Sequence, residues 1–210
     1  MRIRDALVAT PLFLVLATAP LRGQSFDVPS FQTPFPETGL GLLAFYPDAD
    51  HAGAALLWRQ AGERSTIGVR AGVQDFGGEI GYLAGVDYNS HGRPDGGDGF
   101  EGALVSGLGV GWAPDADVVR ARLPLGFVWG WRHPADGLAI VPYFGPRALL
   151  DVTFREETVA GSEEWDEDVD LHLNFELGFD VELARSVKLR FGATLGHEDV
   201  VGAGVSLGSF

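Results

Sequence analysis

From Leu171 to Leu183 every odd position is apolar: Leu171, Leu173, Phe175, Leu177, Phe179, Val181 and Leu183. His172, Asn174, Glu176, Asp180 and Glu182 take even positions, with Gly178 among them. Successive side chains of a β-strand point to opposite faces, so the stretch reads as a strand with one greasy face and one polar, acidic face. After Ala184-Arg185-Ser186 the alternation resumes, with Val187, Leu189, Phe191, Ala193 and Leu195 set against Lys188, Arg190, Gly192 and Thr194. Folded as a hairpin about a three-residue loop, the two runs place Glu182 opposite Lys188 and Asp180 opposite Arg190, so the polar face pairs its charges. The first run is about twice the ~5–6 residues usual in soluble sheets. A long hairpin with a greasy outside and an ion-paired inside suits a β-barrel in a membrane.

The same patterning predicts ten strands, at about 37–46, 53–60, 65–74, 78–89, 99–112, 118–131, 138–156, 168–183, 187–196 and 200–209. Turn chemistry separates them, as at Pro47-Asp48-Ala49-Asp50, Pro114-Asp115-Ala116-Asp117 and Pro134-Ala135-Asp136-Gly137. Gly145-Pro146 predicts a kink in the seventh strand, because proline cannot donate to a ladder. Residues 90–98 and the acidic run 157–168 read as loops. Counted back from the C-terminus, the acidic loop falls on the outer side and 90–98 on the periplasmic side.

The first 23 residues read as a secretory signal peptide: Arg2 and Arg4, then an apolar run from Ala6 to Ala19, then small residues before Gln24. Residues 24–36, with Pro29, Pro34 and Pro36, read as an extended lead-in, and residues 37–210 as the barrel. The absence of cysteine excludes a disulfide framework and a thiolate zinc site. A net charge of −14 excludes nucleic acid as a partner.

A soluble, lipocalin-like periplasmic binding barrel would put the same apolar face inside. Three features favour the membrane. Glycine, 30 residues in all, is concentrated on the polar face, where a narrow lumen needs small side chains. Phe100 and Trp112 share a face 12 residues apart, which at a ~40–45° tilt spans roughly 28–30 Å, the separation of two aromatic girdles. Trp129 and Trp131 sit together as further girdle residues. Finally, the polar face mixes opposite charges at pairing distance. The fold expected is therefore all-β: a closed, antiparallel, up-and-down transmembrane barrel of about ten strands behind a signal peptide.

On the signal peptide, the alternating hairpins and the terminal Phe210, the chain resembles the small outer-membrane β-barrel families of Gram-negative bacteria, the eight-to-ten-strand class. The resemblance implies an outer-membrane location, lipid as the surrounding partner, and recognition of Phe210 by the barrel-assembly machinery. Phe210 departs from the pattern in parity, since Val201, Ala203, Val205 and Leu207 are odd.

Enzymes of this barrel class resemble lipid A deacylases, palmitoyl transferases or Asp/His proteases, and their constellations are not found. Ser90 and His91 are neighbours in sequence and so face opposite ways. His51, His91, His133 and His197 are placed in turns, with His172 on the polar face. A register in which paired positions sum to 323 sets Arg147 against Glu176 and Asp151 against His172. The expectation is a monomeric structural or binding barrel with a charge-filled lumen, no catalytic residue, no metal and no cofactor. A narrow pore, or an enzyme acting on lipid or peptide, is the alternative.

Overall fold

The computed structural model describes residues 31–210 apart from 48–50, 77, 93–98, 115–116, 136, 160–161, 185 and 198; the expected signal peptide, residues 24–30 and most of the expected 90–98 loop lie outside the described residues. The strands are β1 (Thr38–Tyr46), β2 (Gly53–Ala61), β3 (Ser65–Phe76), β4 (Glu79–His91), β5 (Phe100–Ala113), β6 (Val118–Trp131), β7 (His133–Ala135), β8 (Leu138–Val159), β9 (Ser162–Ala184), β10 (Val187–Leu195) and β11 (Val200–Ser209). Each pairs antiparallel with its sequence neighbour except that β6 pairs with β8 and not with β7, and β1 pairs with β11. The three-residue β7 extends the β6–β8 hairpin, so the wall is a closed up-and-down barrel of ten strands.

One ladder row, followed around the wall, shows why the chain closes this way. It runs Val169, Val152, Ala121, Val110, Ala84, Ala71, Leu56, Leu42, Val205, Leu189 and back to β9 at Val181. Every residue in it is apolar. The row returns 181 − 169 = 12 residues along β9. That stagger over ten strands corresponds to a strand tilt of roughly 40°. Outward side chains are large and exposed around the whole circumference, among them Leu42, Leu56, Val69, Val86, Val110, Leu125, Phe175 and Leu207. In water such a surface would be a severe liability; in hydrocarbon it is the required one. The lipocalin-like alternative, with its apolar face inside, is overturned by this outward belt.

The aromatic residues mark two levels. Phe100 meets Trp131 at 5.3 Å, and Trp129 and Trp131 lie 6.0 and 5.8 Å from Phe144. At the opposite end of β5, Trp112 lies 6.1 Å from Tyr82. Proline breaks the ladder locally. The β6–β8 pairing skips Phe127 and Val128 across from Gly145-Pro146, and the β5–β6 pairing is interrupted beside Pro124.

Three predicted loop or turn placements are corrected. The acidic run 157–168 is strand: β8 and β9 stay paired as far as Val159↔Ser162, with only residues 160 and 161 between them. Carboxylates that read as a solvated loop are carried on a hairpin extending beyond its neighbours, since β10 ends at Leu195, opposite Phe175. His91 is the buried last residue of β4 and His133 lies in β7, neither in a turn.

Residues 31–37 do not run outside the wall. Phe31, Gln32, Thr33, Phe35 and Glu37 are all buried inside the lumen. Glu37 leads directly into Thr38, which pairs with Ser209 at the C-terminal end of β11, and Phe31 sits deeper, against Leu43, Phe45 and Val200. This explains why β1 is apolar on both faces: Leu40 and Leu42 face lipid, while Leu43 and Phe45 pack on the Phe31 ring. Glycine makes the room. A Cβ on Gly192 or Gly202 would stand 3.0 or 2.9 Å from that ring.

Candidate functional site

The lumen is the only part of the molecule where charge, burial and an occupying segment coincide among the described residues. β10 and β9 set its charged floor. Their short connection fixes the register, with Lys188 opposite Glu182 and Arg190 opposite Asp180. Arg190 Nη2 lies 3.0 Å from Asp180 Oδ2, and Lys188 Nζ lies 3.4 Å from Asp180 and 3.6 Å from Glu182. Arg132 joins from the β6–β7 corner, 2.9 Å from Glu182. Arg147 ion-pairs with Glu176 across β8 and β9.

The register of that hairpin differs from the expected one. Pairs sum to 321, so Arg147 stands opposite Asn174 and reaches Glu176 diagonally, while Asp151 faces Asp170 and His172 faces Leu149. The connection between the strands is centred two positions earlier in the pair sum than expected, which keeps parity and changes partners. The Asp151–His172 pair is therefore corrected. Asp151 bridges two arginines on β6, with Oδ2 2.6 Å from Arg120 and 2.9 Å from Arg122. The His172 ring stacks flat on His197 at 3.7 Å. A further pair, Arg70–Asp87, joins β3 to β4.

Onto this wall residues 31–37 are fastened through both their main chain and the Gln32 and Glu37 side chains. Phe31 N–H donates to Glu176 Oε1 at 3.1 Å, and its carbonyl accepts from Arg59 at 2.8 Å and Arg190 at 3.0 Å. Gln32 donates to Asn89 Oδ1 at 2.7 Å and accepts from Arg147 at 3.1 Å. The Asn89 amide donates to the Thr33 carbonyl at 3.3 Å, and His91 bonds the Pro34 carbonyl at 2.7 Å and Thr66 at 2.8 Å. Glu37 accepts from Arg59, Lys188 and Arg190. Phe31 has a positive φ of 48°. A left-handed backbone costs a non-glycine residue about 1–2 kcal/mol, and it persists only where the surroundings enforce it.

The buried charges of the wall do not balance by themselves. Among the described residues six cations are buried, Arg59, Arg70, Arg122, Arg147, Lys188 and Arg190, against four wall carboxylates, Asp87, Asp151, Glu176 and Asp180; Glu37 is the fifth buried carboxylate. Sequence reasoning missed Glu37, Arg59, Gln32 and Asn89. One signal was present: Glu37 continues the odd, inward parity of Gly39, Gly41 and Leu43.

The other expected site residues are placed as follows. Phe100, Trp112, Trp129 and Trp131 are on outward positions of β5 and β6. Phe210 is turned inward, with Lys188 Nζ 4.1 Å from its ring centre. Ser90 and His91 are neighbours on β4, and His91 is engaged by Thr66 and Pro34. No group of three or more metal-ligating side chains is assembled among the described residues.

No protein-family model and no curated protein matches the chain. Solved structures similar to it include a KdgM porin, at 11% identity and a TM-score of 0.42, covering 82% of this chain and 99% of that one. LpxR from Salmonella typhimurium is similar at 8% identity and a TM-score of 0.40, covering 81% and 99%. The N-terminal β-barrel domain of Pseudomonas aeruginosa OprF is similar at 12% identity and a TM-score of 0.34, covering 82% and 98%. Likenesses this distant carry no functional information. The class is defined by the molecule's own surface: a closed, up-and-down β-barrel with an uninterrupted apolar belt between aromatic levels is an integral outer-membrane barrel.

Proposed function

We propose that the protein is a non-catalytic, monomeric outer-membrane barrel whose lumen is held shut by residues 31–37, and that it acts through structure or binding at its outer end. The observation that supports this reading is the recognition of the segment's main chain by the wall. Arg59 and Arg190 hold the Phe31 carbonyl, Asn89 holds that of Thr33 and His91 that of Pro34. A charged group satisfied by a buried backbone carbonyl is costly to release, because both partners would be left unsatisfied. The outer end offers the β8–β9 hairpin, whose strands of 22 and 23 residues are about twice the length needed to cross the bilayer. Its Leu171 and Leu173 are 72% and 78% exposed, and the β10-facing edge of 162–174 has no ladder partner among the described residues. Reading of Phe210 by the assembly machinery would precede closure, because in the closed barrel the ring lies over Lys188.

Planar-bilayer recording tests the closed lumen. The full chain is expected to insert without stable ohmic steps. Steps of large conductance from the unmodified protein would overturn the reading.

A further inference from the structure

Three cations of the wall converge on one carboxylate that does not belong to it. Arg190 Nη1 lies 2.9 Å from Glu37 Oε1 and its Nη2 3.0 Å from Oε2; Lys188 Nζ lies 3.2 Å from Oε2, and Arg59 Nη1 also bonds Oε1. Both Glu37 oxygens are thus met by a guanidinium fork, a second guanidinium and an ammonium, the donor set that suits a planar carboxylate. The cations are almost wholly buried, with Lys188 and Arg190 each 1% exposed.

We propose that Arg59, Lys188 and Arg190 form a carboxylate-binding site of the barrel wall, and that Glu37 is its tethered occupant. The proposal rests on the placement of residues 31–37 in the lumen, and it does not require the barrel to be non-conducting. Two further observations point the same way. Among the described residues the buried wall holds six cations against four carboxylates, and Glu37 narrows that excess from two to one. Two of the three cations are also oriented by the wall itself, Arg190 by Asp180 and Lys188 by Asp180 and Glu182, so the placement of those two does not depend on Glu37.

Size defines the ligand class. A void of about 10 Å³ lies beside the carboxylate, lined by Gly41, Leu57, Ser206 and Phe210 together with Arg59 and Arg190. Truncation of Glu37 to alanine adds to it the space of a CH₂–COO⁻ group, which is acetate in size and charge. The ligand is therefore a compact aliphatic carboxylate, reaching the site from the barrel end where Phe210 lies. A carboxylate arriving there competes with Glu37 for the donors that anchor the plug where it joins β1.

The test is chemical rescue of Glu37→Ala in the full chain. The variant and the unmodified protein are refolded into detergent, and thermal unfolding is followed by the gel-mobility difference between folded and unfolded barrel. Sodium acetate is titrated against sodium chloride at matched ionic strength, with acetamide as the neutral analogue. E37A is expected to unfold at lower temperature and to regain most of the loss, saturably, in acetate alone, while the unmodified protein does not respond. If the variant folds only when acetate is present, the proposal is likewise supported. Equal recovery in chloride, a parallel rise in the unmodified protein, no recovery, or failure to fold in every salt would overturn it. Ohmic steps from the unmodified protein would overturn the closed lumen while leaving the rescue result intact.

Discussion

Replacing Arg190 by methionine removes the side chain on which the lumen's two halves are joined. Its guanidinium bonds Asp180 at 3.2 and 3.0 Å, Glu37 at 2.9 and 3.0 Å and the Phe31 carbonyl at 3.0 Å. Among the described residues Asp180 then keeps Lys188, 3.4 Å away, as its ion-pair partner, and Glu37 keeps Lys188 and Arg59. Because the carboxylates remain buried, the loss is set by stranded charge more than by the contacts deleted, and about 3–5 kcal/mol is expected. Asp180→Ala leaves Arg190 with Glu37 and the Phe31 carbonyl, and Lys188 with Glu37 and Glu182, and should cost a similar amount. The double variant removes one charge of each sign, so it should fall short of the sum by about 1–3 kcal/mol. Denaturant unfolding of the four proteins in lipid vesicles, read by tryptophan fluorescence, gives the cycle. Additivity within about 0.5 kcal/mol would show that the two charges are solvated separately and would refute the reasoning.

Other perturbations address the plug and the belt. Phe31→Ala should lose about 3–5 kcal/mol of unfolding free energy in the same assay, because the ring is fully buried against Leu43 and Phe45. Gly202→Val should lower the thermal midpoint in detergent by the equivalent of about 1–3 kcal/mol, since its Cβ would stand 2.9 Å from the Phe31 ring. Leu42→Arg, on the lipid face midway along β1, should cost about 2–4 kcal/mol in vesicle unfolding. Trp165→Arg, exposed on the outer hairpin, should change stability by less than about 1 kcal/mol.

The wall was legible in the sequence because a strand writes its faces in alternate positions. Where a connection was short, the pairing was legible too: only residues 185 and 186 separate β9 from β10, and that fixes Asp180 opposite Arg190. The β8–β9 hairpin was harder, because its acidic run carries charge on both parities, and the register slipped to the next same-parity pairing. That slip removes the Asp151–His172 pair, and the β6–β8 register sets Asp151 against Arg120 and Arg122. The plug was not legible. Residues 31–37 have no period, two of them are proline, and the bonds that place them reach far along the chain, from Phe31 to Glu176 and Arg190. Glu37 had the right parity, but only the closed wall brings Arg59 from one side of β1 and Lys188 and Arg190 from the other onto it.

Occupation of the lumen by residues 31–37 is tested most directly by labelling. The chain has no cysteine, so a single thiol reports one position. Thr33→Cys, at a side chain buried inside the barrel, and Trp165→Cys, on the exposed hairpin, would each be treated with a water-soluble maleimide in folded and in denatured protein. Trp165→Cys should label at once in both states, and Thr33→Cys only after denaturation. Equal labelling rates at the two positions in the folded barrel would contradict the plugged lumen.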